Sequence, residues 1–493
     1  MISRFSRLDR ARVVRLCLLG AAVVFALAEL ARSSYLRFAT GMVDFRVLYC
    51  VGRVVLAGGD PYLVEPLRSC EHAYADPSIA GSPNIVYPFA LPPYVVAPFA
   101  ALALLPFTTA AWSYEIAAVV ALVAAAVLLS RALDLPPPAV AAAIVVSVGL
   151  PSLALGQLVP FELAFIAATA FALVRGKHVA AGVFAALTML EPHIGVFVVA
   201  SVALFAPRTR VAVLVSAAAL ALAAFAEGGT RWLTTFPAEL RLQALAEAHD
   251  DAQYSLTAAL AWLGVPVQYA LLAGSVSTLL AFVLSLVLSR AVARVSTPAA
   301  LAVLPPACAV VAGSYIHITQ IGLAVPAAFL LARYSRTDAV ATRLAVAGLV
   351  LLAVPWPHVA AEKPVTAAAL LVIAVLLRYA GASYAHIAAA VAACWIVLWP
   401  LQNSLPPALA RPVLPRAAPG ALASTVWIEV APQINRDSPR TYVIKLPTWL
   451  GLAATIGAAI RLTDPRRRRL GEAPPSPAPA SSFASSADSF RRG

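Results

Sequence analysis

Side chains able to do chemistry are few in this chain, and they fall in short polar stretches between long apolar runs. The main stretches are "GMVDFRVLYCVGRVVLAGGDPY" (41–62), "GQLVPFE" (156–162), "LEPH" (190–193), "EGGTRW" (227–232) and "SYIHITQ" (314–320). A carboxylate or an imidazole held in place can accept a proton, and arginines can neutralise an anionic group. The first question is therefore why these residues interrupt an otherwise apolar chain.

Asp44 begins the longest polar stretch, and two interpretations are open for it. Residues 44–58 read as a helix that stops at Gly58-Gly59. Its apolar face consists of Val47, Leu48, Val51, Val54 and Val55. We expect a juxtamembrane helix lying in the membrane interface, apolar side down. Asp44 is either the helix N-cap, a favoured use of Asp, or a carboxylate at the mouth of a cavity lined by broken helices.

The composition identifies the kind of protein that must position these residues. The 493 residues are 61% hydrophobic and 12% charged, with mean hydropathy +0.85, whereas a soluble domain carries about a quarter charged residues. Apolar runs of about 20 residues, enough to span a bilayer, recur along the chain. We predict an all-α polytopic membrane protein with about 12–14 transmembrane helices. The basic residues behind the net charge of +13 are spread between the apolar runs and do not form one patch. We therefore expect contact with the lipid bilayer and no nucleic-acid partner.

The arginines predict the topology. Five precede residue 16, which places the N-terminus in the cytoplasm and makes span 13–31 a retained signal anchor. If the later basic clusters are also cytoplasmic, most acidic residues and histidines fall on the outer side. We therefore expect a multi-pass plasma-membrane protein with both termini cytoplasmic. Its predicted parts are a basic N-terminus (1–12), a membrane core (13–260, first outer loop 32–90), a C-terminal membrane region (261–462, outer loop 401–444) and a disordered tail (463–493).

Several features predict local structure within this plan. Apolar segments 178–190 and 194–206 flank Glu191-Pro192 and are too short to span, which indicates a broken helix lining a protein-enclosed cavity. The proline-rich segment 91–107 predicts a re-entrant or surface-lying helix. Cys50 and Cys70 share the first outer loop and could form a disulfide in an oxidising compartment.

The polar stretches together resemble a known family. "DFRVLYCVGRVVLAGGDPY", "YPFALPPYVVAPFAAL", "GQLVPFELAFIAATAFAL", "AAGVFAALTMLEPHIGVFVVA" and "YSLTAALAWLG" resemble the pattern of glycosyltransferase family 87 (DUF2029), over roughly residues 10–340. These GT-C-type membrane enzymes are similar to the polyprenol-phosphate-mannose-dependent α-mannosyltransferases of actinobacterial envelopes. The resemblance implies a GT-C-type helix bundle. It also implies transfer of a hexose, with mannose expected, from a polyprenyl-phosphate donor to an envelope glycolipid or polysaccharide on the outer face.

The resemblance also implies roles for particular residues. Asp44 matches the family's catalytic acidic position, and His317 is a second candidate base. Candidates for contacts with the lipid phosphate or the sugar are Arg46, Tyr49, Arg53, Gln157, Glu162, Glu191, His193 and Arg231. Arg46 and Arg53 could instead anchor phospholipid headgroups, and Tyr49 could be an interfacial aromatic anchor. No cofactor is expected, and without an Asp-x-Asp pair near Asp44 no metal is implied.

Two departures from the family pattern keep alternatives open. Glu191-Pro192-His193 stands where relatives carry Lys-Pro, and Gly-Gln is followed by Leu158-Val159-Pro160 where relatives place Asn close behind. Glu191 is therefore either a site residue or a hydrogen-bond partner at the helix break. The alternative functions are a pentosyl (arabinofuranosyl) transferase, a transporter of lipid-linked sugars and an inactive scaffold. A transporter is disfavoured because the broken helices concentrate before residue 260 and no internal repeat is visible.

Overall fold

The regular secondary structure of the protein is helical throughout the residues that the computed structural model describes, which are 42–75, 85–311, 313–361, 363–402, 415–434 and 439–464. The predicted basic N-terminus, the first span 13–31 and all but the start of the tail 463–493 lie outside these residues. Residues 403–414 and 435–438 of the predicted outer loop 401–444 also lie outside them. The all-helical prediction is confirmed for the described part.

The helices divide into a group of short ones near the N-terminal end and a larger bundle. The first group is α1 (Val43–Leu56), α2 (Val64–Ala73) and α3 (Val96–Leu102). The bundle up to residue 262 contains α4 (Phe107–Leu133), α5 (Pro137–Ile144), α6 (Leu150–Leu155), α7 (Val159–Val174), α8 (His178–Leu187), α9 (Pro192–Phe205), α10 (Arg210–Gly228), α11 (Trp232–Ala246) and α12 (Leu256–Trp262). The remainder contains α13 (Val267–Val295), α14 (Ala300–Ala309), α15 (Val325–Tyr334), α16 (Ala339–Leu352), α17 (Trp356–Ala361), α18 (Lys363–Tyr379), α19 (Tyr384–Gln402), α20 (Ala423–Ile434) and α21 (Pro439–Thr463).

Five helical segments of the described residues are long and apolar enough to cross a membrane. They are Phe107–Leu133, Pro137–Leu155, Pro207–Gly228, Val267–Val295 and Pro439–Thr463. Large apolar side chains stand exposed along α10 and α13, among them Leu214 at 69% and Leu280 at 66%. Exposed apolar surface on this scale marks an interaction surface, here the bilayer. The chain is thus a multi-pass membrane protein. Within the described part of the chain, nine further apolar helices of 10–17 residues are shorter than a full span. Their contribution to the number of crossings stays a prediction.

Helix α1 is embedded in protein rather than resting on the membrane. Its predicted apolar face is largely buried, but so are Arg46 and Tyr49, which the periodicity placed off that face, and only Arg53 among these three is exposed. Gly52 packs against the backbone of Phe99 in α3, where any Cβ would collide with the carbonyl. The expected interfacial helix with one buried face is therefore wrong in that detail.

A disulfide joins α1 to α2, because Cys50 is paired with Cys70 across a Cα–Cα distance of 5.6 Å. The pairing suggested by the sequence is present. The disulfide holds α2 beside α1, the helix that carries Asp44.

The polar turns and the basic clusters lie at opposite ends of the bundle. At one end Gln320 contacts both Glu191 and His317, and all three lie near the first residues of a helix. At the far ends of α7, α9 and α13, Leu173, Phe205 and Arg294 border one cavity. The turns that carry the candidate site residues thus lie away from the basic clusters, but Asp134 and Asp338 pair with Arg333 and Arg461, so acidic residues and arginines are not fully separated. Which end faces the cytoplasm stays a prediction.

Candidate functional site

Asp44 uses its carboxylate for a long-range contact and not for capping. The N-cap of α1 is Met42, which makes no side-chain cap hydrogen bond, and Asp44 lies in the first turn. Gln157 Nε2 donates to Asp44 Oδ2 at 2.6 Å, across 113 positions of sequence. The N-cap interpretation is therefore wrong. The first turn still favours a negative charge there, because the helix dipole is positive at that end.

The Gly156-Gln157 pair has a local physical explanation. Helix α6 ends at Leu155, and Gly156 follows in the left-handed conformation with φ +77°, which glycine adopts without steric cost. A Cβ on Gly156 would also lie 2.6 Å from Phe45 Cβ. The glycine therefore lets the turn approach α1 closely, which delivers the Gln157 amide to Asp44.

His317 joins the same cluster through Thr319. Thr319 Oγ1 donates to Gln157 Oε1, and His317 Nδ1 lies 3.2 Å from Thr319 Oγ1. We assign the ring proton to Nδ1, because each contact then has one donor: His317 to Thr319, Thr319 to Gln157, and Gln157 to Asp44. The 3.4 Å separation of Gln157 Nε2 from His317 Nδ1 is then a non-bonded contact. This tautomer leaves His317 Nε2 as an acceptor.

Glu191 lies at the break between α8 and α9, and it is buried. Gln320 Nε2 donates to its Oε2, while Gln320 Oε1 accepts from the His317 backbone N–H at 2.9 Å. His193 Nε2 is 3.9 Å from the same carboxylate oxygen, and its ring packs edge-on to Tyr315 at 5.8 Å. One glutamine amide thus connects the broken helix to the turn that carries His317.

The protonation behaviour of Asp44 follows from its surroundings. Burial raises the pKa of the Asp44 carboxyl from 3.8 to about 6, although the Gln157 hydrogen bond and the charge of Arg46 both favour the ionised form. Asp44, Gln157, His193 and His317 are all partly exposed residues. A carboxylate with a pKa near neutrality, reachable from outside, is suited to accept a proton.

Arg46 is buried beside this cluster and does not reach the surface as a lipid-headgroup anchor would. Its guanidinium lies 5.7 Å from the centre of the Tyr87 ring, and its Nε has no hydrogen-bond partner among the described residues. Glu71 accepts from the Tyr87 backbone N–H at 3.0 Å. Burial raises the pKa of Glu71 to about 8, against the influence of that hydrogen bond and of Arg46. Arg46 is therefore the buried cation nearest to Asp44 along the chain.

Glu162 is buried near the start of α7, and neither of its carboxylate oxygens has a hydrogen-bond partner among the described residues. Tyr114 is buried as well, and its hydroxyl is likewise without a partner among those residues. Buried polar atoms without partners are uncommon in folded proteins. Both groups therefore keep unused hydrogen-bonding capacity within the described part of the chain.

Three of the predicted site residues are placed elsewhere. Tyr49 is buried, and its hydroxyl donates to the Leu105 carbonyl at 2.9 Å, so it packs the core. Arg53 is exposed in the last turn of α1, about 13 Å along the axis from Asp44 at 1.5 Å per residue. Arg231 is exposed at the start of α11, where its carbonyl accepts from Thr234 and Thr235.

Thr319 and Gln320 are the contributors that sequence reasoning missed. Both are buried in the 3₁₀ helix Ile318–Ala324. Their only signal in the sequence is that they continue the polar run after His317 in "SYIHITQ". An antiparallel bridge between Gln253 and His317 fixes this turn to the chain before α12.

A second polar cluster holds the C-terminal helices onto the core. Glu247 accepts from Trp427 Nε1 at 2.7 Å and from Gln253 Nε2 at 3.1 Å, and Lys445 Nζ donates to the Gln253 carbonyl at 2.8 Å. Burial and the nearby Asp250 raise the pKa of Glu247 well above its usual value. The sequence segments before and after residue 260 thus share one polar network next to the turn of His317.

Comparison of the chain with protein-family models, with curated proteins and with solved structures finds no match. A function is therefore inferred from the residues and their geometry.

Proposed function

We propose that this chain is a membrane glycosyltransferase of the GT-C type. It moves a hexose, with mannose expected, from a polyprenyl-phosphate donor to an envelope glycolipid or polysaccharide at the outer face of the plasma membrane, with both termini in the cytoplasm. The observation that carries the proposal is the cluster of Asp44, Gln157 and His317, which three distant segments bring together at a solvent-accessible end of the bundle.

The chemistry of such a transfer matches what the cluster contains. The bond between the anomeric carbon and the phosphate oxygen breaks, and the phosphate leaves with the electron pair. An acceptor hydroxyl forms the new bond to that carbon and loses its proton to a base. The Asp44 carboxylate is the proposed base, since its raised pKa favours taking up a proton near neutrality. While ionised it also stabilises the positive charge that develops at the sugar ring.

Gln157 and Thr319 are positioning residues in this proposal. The Gln157 amide holds one oxygen of Asp44, and Thr319 orients both Gln157 and the ring of His317. His317 keeps an accepting Nε2 in the assigned tautomer, so it is the second candidate base. Glu162, with two carboxylate oxygens lacking partners among the described residues, is suited to accept hydrogen bonds from sugar hydroxyls.

The departing phosphate needs a cation, and Arg46 is best supported because it is buried and close in sequence to Asp44. His193, partly exposed beside Glu191, is the second candidate. Glu191 itself accepts from Gln320 and is proposed to hold the helix break. Arg53 and Arg231 are too far along their helices or too exposed to be favoured.

The test is incubation of the purified protein with polyprenyl-phosphate-[14C]mannose and a membrane lipid extract. Label should pass to a lipid or polysaccharide acceptor with the parent protein and fall sharply with Asp44→Asn. A parallel reaction with a polyprenyl-phosphate arabinofuranose donor distinguishes a hexosyl from a pentosyl transferase. If neither donor is consumed, or Asp44→Asn transfers label as fast as the parent, the proposed enzyme is wrong and a transporter or scaffold is favoured.

A further inference from the structure

A cavity of about 590 Å³ lies at the end of the bundle opposite to Asp44. It is open on one side and is lined by the last residues of α7, α9 and α13, the first residues of α8 and α14, and the connection between α9 and α10. Binding sites for small molecules in proteins commonly measure about 300–1,000 Å³. The space is therefore large enough for a phosphate-bearing headgroup.

Positive charge dominates the walls of this cavity. Arg208, Arg290 and Arg294 line it, together with His178, and no acidic side chain of the described residues does. None of the three arginines forms an ion pair or hydrogen bond with a described residue. Arg290 rests against the Phe205 ring at 5.4 Å. All three arginines are exposed, so water screens their mutual repulsion, and an anion bound among them would be attracted by several positive charges at once.

A neighbouring arginine outside the cavity already occupies a carbonyl group near the end of α9. Arg210, just beyond the cavity, donates from Nε to the Ala203 carbonyl at 2.9 Å, at the C-terminal end of α9. The guanidinium groups of the lining arginines thus remain available as donors. Their planar forks match two oxygens of a phosphate.

The surroundings of the cavity point to a lipid as the source of that phosphate. Helix α9 contacts both α10 and α13. Those two helices carry rows of exposed apolar side chains, and Leu204 beside the cavity is itself 51% exposed. Acyl chains in the bilayer would therefore run along α10 and α13 directly from a headgroup held by the arginines.

We propose that this cavity binds the phosphate headgroup of an anionic phospholipid at the end of the protein opposite to the catalytic cluster. The predicted topology places it in the cytoplasmic leaflet, where anionic lipids attract basic residues. Arg290 and Arg294 hold the phosphate in the last turns of α13, and Arg208 closes the site from the α9–α10 connection. The proposal concerns binding alone and does not depend on sugar transfer.

Native mass spectrometry of the detergent-purified full chain tests the proposal with phosphatidylglycerol and with phosphatidylcholine of the same acyl chains. Phosphatidylglycerol should bind, and phosphatidylcholine should bind at least tenfold more weakly. Arg208→Gln/Arg290→Gln/Arg294→Gln should weaken phosphatidylglycerol binding on the order of 100-fold, from the usual contribution of three interfacial cations. Lys177→Gln/Arg336→Gln/Arg343→Gln removes the same charge from outside the cavity, and its affinity should stay close to the parent's.

Three outcomes would overturn the proposal. Equal losses in both triple variants would mean that net charge, and not this site, attracts the lipid. Competition by inorganic phosphate at the concentration where phosphatidylglycerol binds would make the site one for free phosphate. If the cavity triple variant binds phosphatidylglycerol with the parent's affinity, the lipid does not bind in this cavity. Should that variant unfold, the single change Arg290→Gln, expected to weaken binding several-fold, decides in its place.

Discussion

Replacing Asp44 by Asn separates the proposed catalytic role of this residue from every structural one. Asn keeps the size of the side chain and an oxygen that can still accept from Gln157, but it can neither take up a proton near neutral pH nor carry a negative charge. Loss of a general base costs about 10²–10⁴-fold in rate. We therefore expect Asp44→Asn to lose transfer activity by at least about 100-fold while remaining folded.

The same substitution should raise stability at neutral pH. The folded-state pKa of Asp44 is raised from 3.8 to about 6, so its contribution to stability is fully present below pH 3.8 and is lost as the pH rises through about 6. That shift corresponds to about 3 kcal/mol of destabilisation at pH 7, reduced by the partial solvent access of the side chain. Asn has no charge to desolvate and escapes this cost.

The assay follows both quantities in one preparation. Thermal unfolding in detergent at pH 5 and pH 8 should show Asp44→Asn gaining stability over the parent at pH 8 and gaining less at pH 5. Parental transfer should fall as the pH drops through about 6, because the base becomes protonated. Asp60→Asn, an acid of the same loop that accepts from the Tyr62 backbone, serves as the control and should change neither pattern. Lower stability of Asp44→Asn at pH 8, or retained activity, would refute the reasoning.

Further expectations follow from the neighbouring geometry. Gln157→Leu should lower transfer at least about tenfold and shift its pH profile, because a hydrogen bond to a charged group is lost; an unchanged pH profile would argue against a positioning role. Gly156→Ala should destabilise the protein by more than about 1 kcal/mol in chemical unfolding, given its positive φ and the crowding there. Thiol counting on the denatured, non-reduced chain should find three free thiols among the five cysteines, since Cys50 and Cys70 are paired; five would contradict the pairing. Arg241 is exposed, and a Cys placed there, with the unpaired cysteines removed, should react with a membrane-impermeant maleimide in intact cells. Reaction only after the membrane is permeabilised would contradict the predicted topology.

Much of the architecture was predictable because it depends on local composition. Long apolar runs predict helices that enter a bilayer, and the described residues contain five such segments. Gly156 predicts the turn after α6 and Pro192 predicts the break between α8 and α9, because each residue type has a distinct backbone preference. The presence of Cys50 and Cys70 in one loop predicted their disulfide. In each case the signal lies within a few residues or one loop.

The environment of α1 could not be predicted in this way. The period of its apolar residues identifies a face that avoids water, but protein and lipid are both apolar, so the pattern cannot say which of them covers the helix. The structure covers α1 with protein, including the close approach of Gly52 to Phe99. The same packing buries Arg46, which the sequence alone left open as a headgroup anchor.

The chain itself determined that Asp44, Gln157 and His317 are polar residues in an apolar protein; only the tertiary structure decided that they meet. Asp44 and Gln157 lie 113 positions apart, and Gln157 and His317 lie 160 apart. No local propensity reports contacts between residues so far apart in sequence, because such contacts form only when separate helices pack with their polar ends together. For the same reason Thr319 and Gln320 carried no visible role until the fold placed their side chains between the carboxylates of Asp44 and Glu191.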